Sequence, residues 1–239
     1  MTKQYRNRIL AQLPQPIQES FQSFARILTL QADKELPLCG YAENFSYFPE
    51  TSVLSLSHVL SDAAYTEVLC VGNEGLLEGP EHYNHSQLVA MVLSEGTAWR
   101  IPQPVLRLLA EKHSELQRLL TANIDLNMQQ QFQVTACYRH HSITQQFSRL
   151  LLSHDDRFPQ QPMVTTHAKL ARRLGVRREA ISTVAGVLQK DGGLEYHRGK
   201  VTRIDRDMLL RNSCECYRAL HAMQQQKAQH SRLGLTYSK

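Results

Sequence analysis

The stretch Thr166–Gln189, TTHAKLARRLGVRREAISTVAGVLQ when read from Thr165, constrains this chain more than any other. Apolar or small residues at Leu170, Ala171, Leu174, Val176, Ile181, Val184 and Leu188 recur at helical spacing on either side of Gly175. The pattern reads as a helix, a tight turn and a second helix. Steps of three and four put Leu170 and Leu174 on one face of the first helix, and Ile181, Val184 and Leu188 on one face of the second. Ala171 is small enough for the helices to cross closely, and Gly175 can take the left-handed conformation that ends the first. The second helix keeps a free face with Arg177, Arg178, Glu179, Ser182 and Thr183. A helix fits the DNA major groove, where its N-terminal side chains reach base edges. The plainer alternative, a helical hairpin with a solvated basic face, does not require this order of residue types.

The flanks extend the same reading. Thr166 is expected to cap the first helix, and with His167 it offers side-chain and helix N-terminal groups to a phosphate. Beyond the second helix, GGLEYHRGKVTRI alternates apolar and polar residues around Arg198-Gly199. This predicts a hairpin with a cationic tip, a wing, whose Arg198 and Lys200 suit backbone phosphate or the minor groove. A last segment, Met208–Gln226, returns to helical period.

Charge is segregated along the chain. From Glu35 to Trp99 there is no lysine or arginine, while Glu35, Glu43, Glu50, Asp62, Glu67, Glu74, Glu78, Glu81 and Glu95 are present. From Lys169 to Arg211 the balance reverses, with Lys169, Arg172, Arg173, Arg177, Arg178, Lys190, Arg198, Lys200, Arg203, Arg206 and Arg211 against five acids. A basic groove-reading segment is the footprint of phosphate contacts. The net charge of +5 only favours an acidic partner without naming one. No apolar run is long enough to cross a bilayer, and the polar start MTKQYRNR lacks the apolar core of a signal peptide, so no membrane partner and a cytoplasmic location are expected. Five scattered cysteines, Cys39, Cys70, Cys137, Cys214 and Cys216, argue for reduced thiols rather than a disulfide framework.

At 239 residues the chain has room for two medium domains. Ile9, Leu10, Leu13, Ile17, Phe21, Phe24, Ile27 and Leu28 are spaced for amphipathic helices broken at Pro14 and Pro16. From Glu35 the period changes to two. Segments near Phe45–Phe48, Val53–Leu60, Thr66–Val71, Gln87–Leu93 and Gly96–Ile101 predict short strands of an antiparallel roll. Pro102 and Pro104 close that region. A helical stretch from about Val105 to Gln133 follows, interrupted near His113 and restarting on a Ser114 cap. Leu116, Leu119, Leu120, Ile124, Leu126, Met128, Phe132 and Val134 cover more than one side of it, so it must be buried on more than one side. Packing on the roll and on the same helix of a second chain satisfies this, with Leu116, Leu120, Asn123, Asn127, Gln130 and Val134 in or near the seam. Burial within one subunit is the alternative. Arg139–Ser142 reads as a hinge, and Phe147, Leu150, Leu151 and Leu152 begin the C-terminal domain. The fold class is therefore α+β, with a roll over 1–104, a dimerisation helix and hinge over 105–141, and a winged helix-turn-helix over 142–239.

This order of elements resembles the Crp/Fnr family of bacterial transcription regulators. The residues that carry the resemblance are VGNEGL at Val71–Leu76, CYRHHS and TQQFSRLLL within Cys137–Leu152, LGVRREAIS at Leu174–Ser182, and RGKVTRIDRDML with SCECY within Arg198–Tyr217. The resemblance implies a cupin-like roll and a homodimer that binds an approximately palindromic site on double-stranded DNA and contacts or blocks RNA polymerase. By position, Arg178, Glu179 and Thr183 match the family's main base-reading residues. Thr183 departs from the arginine many members carry, which points to a different half-site.

The family's cyclic-nucleotide sites pair the cyclic phosphate with an arginine beside a glycine-glutamate turn. Gly72-Asn73-Glu74-Gly75 keeps such a turn, but the roll is read as having no cation for it, so no cyclic AMP or cyclic GMP binding is expected. The family's iron–sulfur ligation through clustered N-terminal cysteines is not available either, because Cys39 alone precedes Cys70. No cofactor and no metal site is expected. Glu81, His82, Tyr83 and His85 read as a solvated loop, the sulfurs of Cys214 and Cys216 as pointing to different sides of a helix, and His140-His141 as helix surface. Gly186 suggests close approach of the second helix to another element. No enzyme constellation stands out. The remaining alternative is a protein-binding adaptor that uses the acidic roll and touches DNA only weakly. The sequence does not identify a small-molecule effector.

Overall fold

The computed structural model describes residues 4–38, 44–61, 65–78, 87–157 and 163–230. The Glu81–His85 loop and Cys39 lie outside them. Two compact units are present. Among the described residues, the first comprises those up to Val59, those within Val68–Gln129 and those from Gln224, and the second those within Leu60–Glu67 and Gln130–Met223.

In the first unit, a short 3₁₀ turn at Leu10–Gln12 leads into α1 (Gln15–Phe24). Pro14 is the N-cap and Pro16 sits in the first turn, where a missing N–H costs nothing, so Pro16 starts this helix rather than breaking it. Ile27 and Leu28, expected to continue the helix, instead lie in β1 (Arg26–Leu30). The chain extends at Ala25, and β1 pairs antiparallel with β8 (Gly96–Pro102). The remaining strands are β2 (Glu35–Leu36), β3 (Phe45–Pro49), β4 (Val53–Val59), β5 (Tyr65–Val71), β6 (Leu77–Glu78) and β7 (Leu88–Ser94). They form two sheets, ordered β1-β8-β3-β6 and β2-β7-β4-β5. Leu30, Leu36, Tyr47, Leu54, Leu56, Val71, Leu77, Ala90 and Val92 make one buried cluster of this roll. A second cluster joins Ile17 and Phe21 of α1 to Phe48, Trp99 and Ile101 of the roll, and to Leu106 of α2 (Gln103–Lys112) and Leu116.

The expected break at His113 is present, and α3 runs from Ser114 to His140, about two turns beyond Gln133. Ser114 is inside the helix with its hydroxyl on Glu115, and so does not act as the cap.

The second unit continues from α3 through only His141 and Ser142 into α4 (Ile143–Asp155). Ser142 caps α4 in a reciprocal box with Gln145. There follow β9 (Met163–Val164), α5 (His167–Leu174), α6 (Arg178–Lys190), the hairpin β10 (Leu194–His197) and β11 (Lys200–Ile204), α7 (Arg206–Asn212) and α8 (Glu215–His230). The C-terminal helical segment expected over Met208–Gln226 is thus two helices, broken at Ser213-Cys214. Asp205 caps α7, and Ser213 is extended at its end with its hydroxyl on the Leu210 carbonyl. Phe147, Leu150, Leu151, Leu152, Leu170, Leu174, Ile181, Leu188, Val201 and Leu209 form the core.

Candidate nucleic-acid interface

The turn between α5 and α6 follows from Gly175. Its φ of 65° lets its N–H bond to the Arg172 carbonyl while the Val176 N–H reaches the Ala171 carbonyl, so two otherwise orphaned acceptors are satisfied. A Cβ here would also lie 2.5 Å from the Thr66 hydroxyl. At the other end of α5, Thr166 is the N-cap, and its hydroxyl accepts from the Lys169 N–H at 3.2 Å.

Packing through Leu170, Ala171, Ile181, Ala185 and Leu188 leaves one side of α6 exposed. Arg178, Glu179, Ser182 and Thr183 lie there, and Arg177 is the N-cap residue immediately before the helix. The Thr183 hydroxyl donates to the Glu179 carbonyl at 3.0 Å, and that of Ser182 to the Arg178 carbonyl at 3.1 Å. His167 lies 3.0 Å from the Ser182 hydroxyl through Nδ1 and stacks on Tyr196, with ring centroids 4.4 Å apart. Burial, and then the charge of Arg178, lowers the His167 pKa below the usual histidine value.

Two features of α6 depart from the sequence pattern. Gly186 has open space around it, so the expectation of a close neighbour is corrected: the glycine lies on the exposed face, away from the core. Val187, one turn beyond Thr183, is 53% exposed. Its i+4 spacing from Thr183 is the sequence signal that places it on the same exposed face.

The hairpin turns at Arg198 and Gly199 with φ of 45° and 78°, both left-handed, as a two-residue hairpin turn requires. Arg198 and Lys200 are exposed at its tip. The tip is tied back to the start of α5, since the Thr165 N–H donates to the Gly199 carbonyl and the Tyr196 hydroxyl to the Thr165 carbonyl.

Not all of the basic residues expected to meet phosphate are on this face. Arg173 makes a bidentate pair with Glu67, at 2.7 and 3.0 Å, with both side chains nearly buried. Arg206 pairs with Asp155 and Asp156. Arg203 pairs with Glu195. The acidic stretch is likewise not one solvated surface: Glu50 and Glu74 are buried, and Glu78 accepts from the Ser46 hydroxyl. The roll is also not free of cations, because β1 and β8, which flank the lysine- and arginine-free stretch, bring in Arg26 and Arg100. The Arg100 guanidinium stands 4.2 Å over the Phe45 ring.

The seam residues divide into two groups. Leu116, Asn123 and Gln130 are buried within the single chain, and Asn123 accepts from the Leu76 N–H at 3.4 Å. Leu120 packs against the helix–roll core, while Asn127 and Val134 are half-buried. For Leu116, Asn123 and Gln130 the placement in a seam between chains is therefore corrected. These three side chains face inward within the single chain. The exposed apolar stripe of α3 is Ile124, Met128 and Phe132, with Phe132 66% exposed.

The reading of the C-terminal cysteines is also corrected. Cys214 lies in the break before α8 rather than on a helix, so its sulfur and that of Cys216 converge with Cys137 and His141. Their four ligand-type atoms lie within 4.8 Å of one another.

A roll, a long helix and a helix-turn-helix with a three-stranded wing define the fold of the Crp/Fnr regulators. Residues 145–211 match the family model of the Crp-like helix-turn-helix domain, and the chain carries that domain. Among solved structures it is similar to FixK2 from Bradyrhizobium japonicum, at 16% identity and a TM-score of 0.65, covering 80% of this chain and 98% of that one. It is similar to CLP of Xanthomonas campestris, a c-di-GMP-responsive global regulator, at 14% identity and a TM-score of 0.62, covering 80% and 100%. A Crp/Fnr-family transcriptional regulator from Thermus thermophilus aligns at 15% identity and a TM-score of 0.61, covering 79% and 98%. At these identities the likeness is one of fold. No curated protein matches the chain in sequence. No helix among the described residues is long and apolar enough to cross a membrane.

Proposed function

We propose that this chain is a sequence-specific DNA-binding transcriptional regulator acting as a homodimer on an approximately palindromic site. The observation that carries the reading is the exposed face of α6, with Arg178, Glu179, Ser182 and Thr183, beside the cationic tip of Arg198 and Lys200. Arg178 can bind guanine O6 and N7, and Glu179 can accept from cytosine N4, each worth about 1–3 kcal/mol of discrimination. Thr183 cannot make a bidentate guanine contact, and Val187 offers a surface to a thymine methyl, so the preferred half-site differs from the one read by an arginine at position 183. Arg177, the Thr166 hydroxyl and the helix N-terminal amides near His167 would hold phosphates and fix the register. The stripe Ile124, Met128 and Phe132 is the surface a second copy of α3 would cover, setting two recognition helices about 34 Å apart on one face of the duplex.

Effector control through cyclic AMP or cyclic GMP is not part of the reading. The Gly72–Gly75 turn is tied to the N-terminal segment, with the Asn7 amide donating to the Gly75 carbonyl and the Arg8 N–H to the Asn73 carbonyl, each at 2.8 Å. The same turn is followed by the buried, apolar Leu76 and Leu77.

The test is selection from a random duplex pool, then fluorescence anisotropy at several salt concentrations with Arg178→Ala alongside. Specific sites should bind at least about 10³-fold tighter than random duplex. Arg178→Ala should relax the preference at one position of each half-site. Equal, weak affinity for all sequences at every salt concentration would sink the proposal and favour the adaptor reading.

A further inference from the structure

We propose that Cys137, His141, Cys214 and Cys216 bind one zinc ion, which ties the end of α3 to the start of α8. Cys137 and His141 are four residues apart on the last turn of α3 and its exit, so they share one face. Cys214 and Cys216 are brought opposite by the Ser213-Cys214 break. The three cysteines form a buried cluster of their own, with exposures of 0%, 5% and 1%.

The spacing fits a single tetrahedral ion. Zinc–sulfur bonds of about 2.3 Å and zinc–nitrogen bonds of about 2.0–2.1 Å give tetrahedral edges of about 3.8 Å between sulfurs and about 3.6 Å from sulfur to nitrogen. The Cys137 and Cys214 sulfurs are 3.6 Å apart, and the Cys216 sulfur is 3.5 Å from His141 Nδ1. All four atoms fall within 4.8 Å, too close together for a polynuclear cluster with a separate metal atom at each ligand. A disulfide would need one pair of sulfurs to close to about 2.0 Å and would leave the third thiol over.

The surroundings are those of a metal site. His141 Nε2 lies 3.2 Å from the Glu215 carboxylate, which would hold the proton on Nε2 and turn the Nδ1 lone pair toward the ion. The Gln133 amide donates to the Cys216 sulfur at 3.0 Å, a bond that a thiolate accepts better than a thiol. Arg149, 7% exposed, sits beside Cys137 with its guanidinium 5.7 Å from the Tyr138 ring, and its Nε is buried with no hydrogen-bond partner. Zinc with three thiolates and a neutral imidazole carries one negative charge, which Arg149 offsets. Binding releases the three thiol protons to solvent and involves no electron transfer. The chain between His141 and Cys214 contains α4 to α7, hence the whole helix-turn-helix and wing, so the ion would staple both ends of that segment.

The experiment is metal analysis of the full-length chain purified in reducing buffer without chelator, by atomic emission. The expected result is close to one zinc per chain, removed by a strong chelator together with a lowered melting temperature, and both restored by zinc chloride. Cobalt(II) added to the stripped protein should give the intense visible bands of tetrahedral thiolate ligation. Cys137→Ser and Cys214→Ser should abolish the bands, while Cys70→Ser keeps them; if the serine variants do not fold, His141→Ala and the wild-type cobalt spectrum decide. A folded, reduced wild-type chain that takes up neither zinc nor cobalt overturns the proposal. So does a metal-free protein whose mass spectrum shows a Cys137–Cys214 disulfide, or full zinc content in folded Cys137→Ser.

Discussion

His167 Nδ1 and the Ser182 hydroxyl, 3.0 Å apart, join the first turn of α5 to the second turn of the exposed face of α6. Their bond fixes the hydroxyl's direction, and the stack of His167 on Tyr196 carries the same constraint to the wing. His167 Nε2 is buried without a partner, which a neutral imidazole with its proton on Nδ1 tolerates best. His167→Ala and Ser182→Ala should each lower DNA affinity, and the double variant should lose less than the sum. The coupling energy is expected at about 0.5–1.5 kcal/mol, the net worth of one hydrogen bond. A double-mutant cycle read by anisotropy checks this. Strict additivity would show that the two side chains act independently.

Arg198 takes a left-handed conformation that asparagine or glycine adopts with less strain. Its presence at an exposed tip is therefore better explained by charge than by folding. Arg198→Asn should leave the melting temperature unchanged or slightly higher. The same variant should reduce the slope of log affinity against log salt by about one unit for each chain whose tip meets a phosphate. An unaltered slope would remove the wing tip from the interface.

The two sides of α3 separate assembly from folding. Phe132→Glu places a charge on the exposed stripe and should shift sedimentation from dimer to monomer with the melting temperature of the monomer preserved. It should also weaken binding to a palindromic duplex by well over tenfold, because each half-site then has to be held alone. Asn123→Ala should do the opposite, leaving the dimer intact at high concentration but destabilising the chain by about 1–3 kcal/mol by orphaning the buried Leu76 N–H. A Phe132→Glu protein that sediments like the wild type would move the seam elsewhere.

The helix-turn-helix was legible because every determinant is local: a period of three and four, a threonine cap, a glycine at the turn and an Arg-Gly hairpin tip. The roll was legible as alternation, but β2 and β6, like β9 beside the wing, have two residues each, too few to show a period. Ile27 and Leu28 continued the helical spacing of α1 across a boundary set only by pairing with β8, about seventy residues away. The inward and outward stripes of α3 are both apolar-rich, and Asn123 faces in, where it accepts from the Leu76 N–H, a contact that no spacing within α3 reveals. The cysteine–histidine cluster was invisible for a different reason. Cys137 and Cys214 are 77 residues apart, and Cys214 and Cys216 were read with helix geometry that the Ser213 break does not supply.

His154 gives the stability of the second unit a direction with pH. Its imidazole is mostly buried among Arg173, Arg157 and Asp155. Burial first, and then the two arginine charges against the weaker pull of Asp155, bring its pKa down from 6.5 to about 4. Between those values the unfolded chain binds a proton that the folded chain refuses. The stabilisation is therefore complete above pH 6.5 and is lost as the pH falls toward 4, by about 2–3 kcal/mol in total. The lowered pKa of His167 acts in the same direction. Urea unfolding followed by circular dichroism at pH 7.5, 6.5, 5.5 and 4.5 should show the midpoint falling across the last three. The fall should be shallower in His154→Gln, which cannot take up the proton in either state. A wild-type midpoint that stays flat from pH 6.5 to 5, or a variant that falls as steeply, would mean that His154 is charged within the fold and that the neighbouring arginines move to accommodate it.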